Sequence, residues 1–287
     1  MPMPSPTDPP PPPDFTVIPT GPPPPPDGWL PGQPVVRSAV SVPSVRWGMV
    51  DIVSGIAFII GAVAIATVVG LAIGGADTLD ALGDGDLSGT DAIIFFGLTT
   101  VAQGLAMGAW PVIVARWKGN GVVADFRWRF KPIDLVLGFG VAFALLIAAL
   151  VVSWGVSSAV GLDPSADEST NTQIITDAAD SAALWIVLVS AVVLAPIVEE
   201  LFFRGLCLRA IERRFGTTAA VLGSTFLFTL PHFANPSLTG TAVLFSVIGS
   251  VGLLLALVVV KTGRLGPAVI AHALFNAVGV VGALAVA

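Results

Sequence analysis

The sequence predicts an all-α polytopic membrane protein of about seven transmembrane helices, preceded by a disordered proline-rich N-terminal tail. Three observations carry that prediction. The 287 residues are 54% hydrophobic and only 11% charged, with a mean hydropathy of +0.89, whereas soluble domains carry roughly 25% charged residues. Apolar stretches long enough to span a bilayer recur at 48–74, 92–115, 135–159, 183–203, 217–236, 240–260 and 266–286. The basic residues fall into alternate loops between them.

Each element follows from its composition. The tail holds 17 of the 24 prolines, with runs at Pro9–Pro13 and Pro22–Pro26, and such a segment favours polyproline II over a packed core. Its opening lacks a basic n-region followed by an apolar h-region, so no cleavable signal peptide is expected and the first span leads insertion. Cys207 is the lone cysteine, which excludes an intramolecular disulfide. Spans one, two, three, six and seven are continuous; spans four and five are each interrupted by polar residues.

Charge sets the orientation. Arg37 and Arg46 precede span one, and Arg116, Lys118, Arg127, Arg129 and Lys131 lie between spans two and three. Arg204, Arg209, Arg213 and Arg214 fall between spans four and five, and Lys261 and Arg264 between six and seven. Those are all 13 basic residues, while loop 75–91 carries only acids and 160–182 is similarly acidic. By the positive-inside rule the N-terminus is cytoplasmic and the C-terminus external. Trp47, Trp110, Trp117 and Trp128 then fall near the cytoplasmic interface, and Arg127 to Lys131 reads as a membrane anchor, not a nucleic-acid site.

Against this apolar background the ionisable residues within the spans stand out, because charge in a bilayer is costly and persists where it pairs or acts. Only two histidines occur, His232 and His272, and upstream lies Glu199-Glu200-Leu201-Phe202-Phe203-Arg204. Helical periodicity continues beyond Arg204, and Gly216 offers a stop before the next helix. A turn at 215–216 folds span four against span five. Glu199 precedes Phe215 by 16 residues and His232 follows Gly216 by 16, so an antiparallel hairpin sets them at equal depth. His272 enters the last span from the same side, eight residues after Arg264.

Spacing assigns roles. Glu200 and Arg204 are i,i+4 and form an ion pair, while Glu199 projects about 100° away toward a cavity. His272 and Asn276 are also i,i+4, setting an imidazole beside an amide that can hold an oxyanion. Phe228 packs beneath His232, and Pro231 breaks the helix beside it. Chemically, Glu199 takes a proton from water that His232 orients, and the hydroxide attacks a peptide carbonyl. Asp51 and Gln103 read as packing or interface residues, and Cys207 as no nucleophile.

Glu-Glu-x-x-x-Arg at 199–204, Phe-x-x-x-His at 228–232 and His-x-x-x-Asn at 272–276 occur in one order. The chain thereby resembles the CPBP (CAAX protease and bacteriocin-processing, Abi) family of intramembrane proteases, related to type II CAAX prenyl endopeptidases. The resemblance covers about 183–285. It implies an intramembrane endopeptidase acting on membrane-associated or C-terminal, CAAX-like peptides. It implies Glu199, His232, His272 and Asn276 as catalytic residues, with Glu200, Arg204 and Phe228 supporting them. The family is often described as a metalloprotease, and Glu199, His232 and His272 would be the ligands if Zn were used. No His-Glu-x-x-His is present, and metal-free glutamate catalysis is preferred.

The organisation expected is a Pro-rich cytoplasmic tail at 1–45, accessory transmembrane helices one to three at 46–160, an external acidic loop at 161–182 and a catalytic core at 183–287. Expected partners are membrane lipids and a peptide or membrane-protein substrate, not nucleic acid. The alternatives are a proton-coupled membrane transporter, which would use the same buried Glu and His residues as a relay, and a non-catalytic membrane scaffold. No internal repeat of the transporter kind is visible.

Overall fold

The lipid-facing character of the chain is visible in which side chains it leaves uncovered. In the computed structural model, which describes residues 45–75, 78, 90–161, 175, 178–179, 182–232 and 238–285, Val53, Ile65, Phe143 and Leu150 are each 67–69% exposed. Glu200, Arg204 and Asp134 are each 0% exposed. An apolar exterior around buried charge is the arrangement a bilayer favours and water does not.

Among the described residues, six helices are long and apolar enough to cross a membrane. They are α1 (Met49–Gly74), α2 (Thr90–Lys118), α3 (Ile133–Val160), the 50-residue run Ala183–His232, α6 (Leu238–Thr262) and α7 (Gly266–Leu284). The 50-residue run breaks at Gly216, whose φ of +83° and ψ of 173° lie outside the helical region. That conformation is one only glycine adopts at low cost. The run is therefore two helices, α4 (183–215) and α5 (217–232), which gives seven long helices among the described residues, roughly consistent with the seven spans expected. The chain is a multi-pass membrane protein. The tail at 1–44 and most of the two acidic loops lie outside the described residues.

Helix α2 lies between α1 and α4, α4 also packs on α7, and α3 closes against α6 and α7. The core sits where α4, α5 and α6 meet, around Phe202, Leu206, Phe228, Leu255 and Val259.

The end carrying the basic residues is tied together by polar contacts. Asp51 and Asp134, in the first turns of α1 and α3, accept from the backbone N–H of Gly48 at 2.9 Å and of Lys131 at 2.8 Å. The same two carboxylates pair with Lys118 at 2.6 Å and Arg264 at 2.5 Å. Asp51, read from the sequence as a packing or interface residue, thus caps α1 and pairs it with the end of α2. Of the four tryptophans expected at an interface, Trp117 is 74% exposed. Trp47 instead belongs to the core at 4% exposure, edge-on to Phe126 at 5.2 Å and beneath the Arg213 guanidinium at 4.6 Å. The Arg127-to-Lys131 segment also has a structural task. The carbonyls of Arg127 and Arg129 accept from the N–H groups of Leu265 and Gly266, at 3.1 and 3.2 Å.

Candidate active site

The α4–α5 hairpin sets residues equidistant from its turn against each other. Phe203 and Phe228 meet edge-on at 5.4 Å, and the Arg204 guanidinium lies 4.2 Å from the centre of the Phe228 ring. Helix α6 closes the third side with Gly252, whose carbonyl accepts from Arg204 Nη2 at 3.0 Å. A Cβ there would sit 3.0 Å from Phe228 Cδ1, so the backbone reaches the arginine only because no side chain intervenes.

From Arg204 a line of polar groups leads toward the cavity. Arg204 Nη1 donates to Glu200 Oε1 at 2.8 Å, and His272 Nδ1 lies 3.1 Å from the same oxygen. With Glu200 as a carboxylate, Nδ1 is the donor, which turns Nε2 outward. Nε2 lies 3.8 Å from Glu199 Oε2, too long for a direct hydrogen bond and suited to a bridging water. The Glu199 side chain keeps 18% of its surface, whereas those of Glu200 and Arg204 keep none. The Glu-Glu pair is therefore split by its helical offset: one carboxylate locked in the core, the other open.

His232 sits at the end of α5, where the helix passes into a 3-10 turn over Leu230–His232. Its Nδ1 is 3.0 Å from the Phe228 carbonyl. A carbonyl only accepts, so Nδ1 carries the proton and Nε2 of the neutral ring presents a lone pair. Phe228 lies between the two imidazoles, 5.4 Å from His232 and 5.8 Å from His272 by ring centres.

Asn276 has a use that spacing alone does not reveal. Residues Ser190–Leu194 of α4 are π-helical, and the Ala195 N–H bonds to the Ser190 carbonyl. Continuing that i→i−5 register, the Ala191 carbonyl needs the N–H of residue 196, which is a proline and has none. Asn276 Nδ2 supplies the missing donor at 2.8 Å. One amide N–H is thus committed to the backbone of α4, leaving the second N–H and Oδ1. Asn276→Leu should strand that carbonyl and lower stability by about 1–3 kcal/mol. The check is thermal unfolding in detergent, where an unchanged midpoint would remove the proline-gap explanation.

A small cavity of 80 Å³ adjoins Glu199, lined also by Thr100, Gln103, Met107, Ser190 and Val198. Gln103, read from the sequence as a packing or interface residue, lies in this lining. A glutamine at the centre of an apolar helix was the available signal, but the contact between α2 and α4 needed to interpret it is invisible in one sequence. Among the described residues, no group of three or more His, Cys, Asp or Glu side chains is gathered in a way that could hold a metal ion. The set Glu199, His232 and His272 is thus not assembled as ligands in this arrangement. Cys207 is fully buried in the core.

No curated protein and no solved structure matches the chain. Residues 181–278, which hold α4 to α7 up to the turn after Asn276, match the family model described as type II CAAX prenyl endopeptidase Rce1-like. All three motifs fall inside that match: Glu199, Glu200 and Arg204 on α4, Phe228 and His232 on α5, His272 and Asn276 on α7. Residues 181–278 of this membrane protein are thus similar to the type II CAAX prenyl endopeptidase Rce1-like family, which is consistent with the CPBP resemblance.

Proposed function

We propose that the chain is an intramembrane endopeptidase that cleaves membrane-associated or C-terminal, CAAX-like peptides with a water activated by Glu199. The observation that carries this reading is the 3.8 Å gap between Glu199 Oε2 and His272 Nε2, an acidic group and an imidazole facing each other inside a membrane helix bundle. In the proposed cycle, water donates a proton to the Glu199 carboxylate while the Nε2 lone pair of His232 orients it. The hydroxide oxygen adds to the scissile carbonyl carbon, and the proton passes from Glu199 to the leaving amine as the C–N bond breaks.

His272 is the proposed oxyanion donor. With Nδ1 held by Glu200, its Nε2 faces Glu199 and can donate from there when the ring carries both protons. Glu200 and Arg204 hold its ring in place, and the second N–H of Asn276 is the proposed partner donor. The positive-inside pattern supports a cytoplasmic N-terminus and an external C-terminus, which sets the site toward the cytoplasmic side. Glutamate chemistry without a metal is the version proposed, with His272 Nδ1 held by Glu200 and Nε2 facing Glu199.

The test is cleavage of a panel of fluorogenic prenylated and apolar C-terminal peptides by detergent-purified protein, with and without a strong chelator. Cleavage that persists in chelator is expected. Activity abolished by chelator and restored by Zn would replace the metal-free version, and no cleavage across the panel would count against the peptidase reading itself.

A further inference from the structure

Helix α2 lies outside the residues that match the protease family, yet it forms one wall of the cavity at Glu199. Its contributions Thr100, Gln103, Gly104 and Met107 follow i, i+3, i+4, i+7 spacing and so share one face. That face approaches α4 closely. A Cβ on Gly104 would fall 2.6 Å from Leu194 Cδ2, and one on Gly108 2.9 Å from Val198 Cγ1. The two contacts advance together along both chains, so α2 and α4 run parallel, with the cavity between them leading to Glu199.

Gln103 lies at the middle of the 29-residue α2, about 20 Å from either end at 1.5 Å per residue. It is nevertheless exposed. An amide exposed at mid-membrane forgoes hydrogen bonds that hydrocarbon cannot replace, so a group that completes them is expected. A peptide threaded into the bilayer has the converse need, because its backbone N–H and C=O must be satisfied where it is not helical. A glutamine side chain offers both a donor and an acceptor, matching one peptide unit of an extended strand.

We propose that Gln103 is a substrate-positioning residue that pairs with the backbone of an extended peptide lying along the open edge of the cavity formed by α2 and α4. The Thr100 and Ser190 hydroxyls lie along the same path. The apolar walls from Met107, Leu194 and Val198 receive an aliphatic side chain next to the scissile bond. At 80 Å³ the space holds several waters by a measure in which one needs about 10–15 Å³, enough for a small aliphatic group. Selection at this wall is by backbone extension and side-chain size. The proposal rests on the peptidase reading for its substrate, but it is a statement about binding and is testable without turnover.

The test uses full-length protein carrying Glu199→Gln, with a fluorescein-labelled farnesylated peptide ending in Cys-Val-Ile-Met as the probe. Adding Gln103→Leu should weaken binding about tenfold, equivalent to 1.4 kcal/mol, while Gln103→Asn keeps part of it. A probe whose Val–Ile and Ile–Met amides are esters should bind more weakly than the amide probe when Gln103 is present. With Gln103→Leu the two probes should bind equally well. That non-additivity marks a direct contact. The thermal midpoint of Gln103→Leu should stay level or rise, since leucine suits lipid. Equal binding by the two proteins, additive losses with the ester probe, or a fallen midpoint would overturn the proposal, as would absence of saturable binding. Cleavage by the wild-type protein against Glu199→Gln reports separately on the peptidase reading.

Discussion

Glu199→Gln should lower kcat/KM for peptide cleavage by about 10²- to 10⁴-fold, the range expected when a general base is removed, and leave the fold intact. The substitution keeps the shape of the side chain and much of its capacity to hydrogen-bond, and it removes the negative charge and with it the ability to take a proton. Stability should be nearly unchanged because Glu199 faces His272 Nε2 across 3.8 Å, not through a close bond. Glu200→Gln serves as the internal contrast. Glu200 is fully buried and binds both Arg204 and His272, so its loss should depress activity and thermal midpoint together. The comparison therefore separates the two adjacent carboxylates by readout. Activity within tenfold of wild type for Glu199→Gln, at matched folding by gel filtration and thermal midpoint, would remove Glu199 as the base.

The contrast between those two residues was partly legible in the sequence. A 100° offset between helix neighbours already separates an inward carboxylate from one facing a cavity, and i,i+4 spacing already pairs Glu200 with Arg204. The hairpin was legible too, since Gly216 lies between basic residues and an apolar run, and equal counts from that turn bring Phe203 onto Phe228, with Arg204 one residue nearer the turn. Tertiary hydrogen bonds were not. That Glu200 also binds His272 depends on the approach of α7 to α4, across 72 residues of chain, and no periodicity encodes it.

The π-helical stretches explain another part of what escaped. Residues Ser190–Leu194 and Glu200–Cys207 hydrogen-bond in the wider register, which sequence patterns tuned to 3.6 residues per turn do not distinguish. The commitment of Asn276 follows from that register and from Pro196, and so could not be read from the His-x-x-x-Asn spacing. Gln103 illustrates a different limit. Its polarity was visible, but the face of α2 that meets α4 is decided by small residues such as Gly104 and Gly108, whose partners appear only when the helices are packed.

Arg204→Met should be the most destabilising single substitution in the site, lowering stability by about 3–5 kcal/mol, because it strands the Glu200 carboxylate in the core. The side chain lost is large, fully buried and stacked on Phe228, and methionine refills much of its volume, so the cost is chiefly electrostatic. Its consequence for activity can be separated from its consequence for folding. In Glu200→Leu/Arg204→Met both charges are gone, and a buried pair replaced by apolar groups of similar size is often neutral or better. The double variant should therefore recover most of the thermal midpoint lost by Arg204→Met. It should not recover cleavage, because His272 Nδ1 has lost its 3.1 Å partner and the ring is free to turn Nε2 away from Glu199. Restored stability with kcat still depressed at least tenfold would identify the Arg204–Glu200 pair as the anchor of a working imidazole. Restored stability with restored cleavage would make the pair a packing device alone and move the orientation of His272 to other contacts.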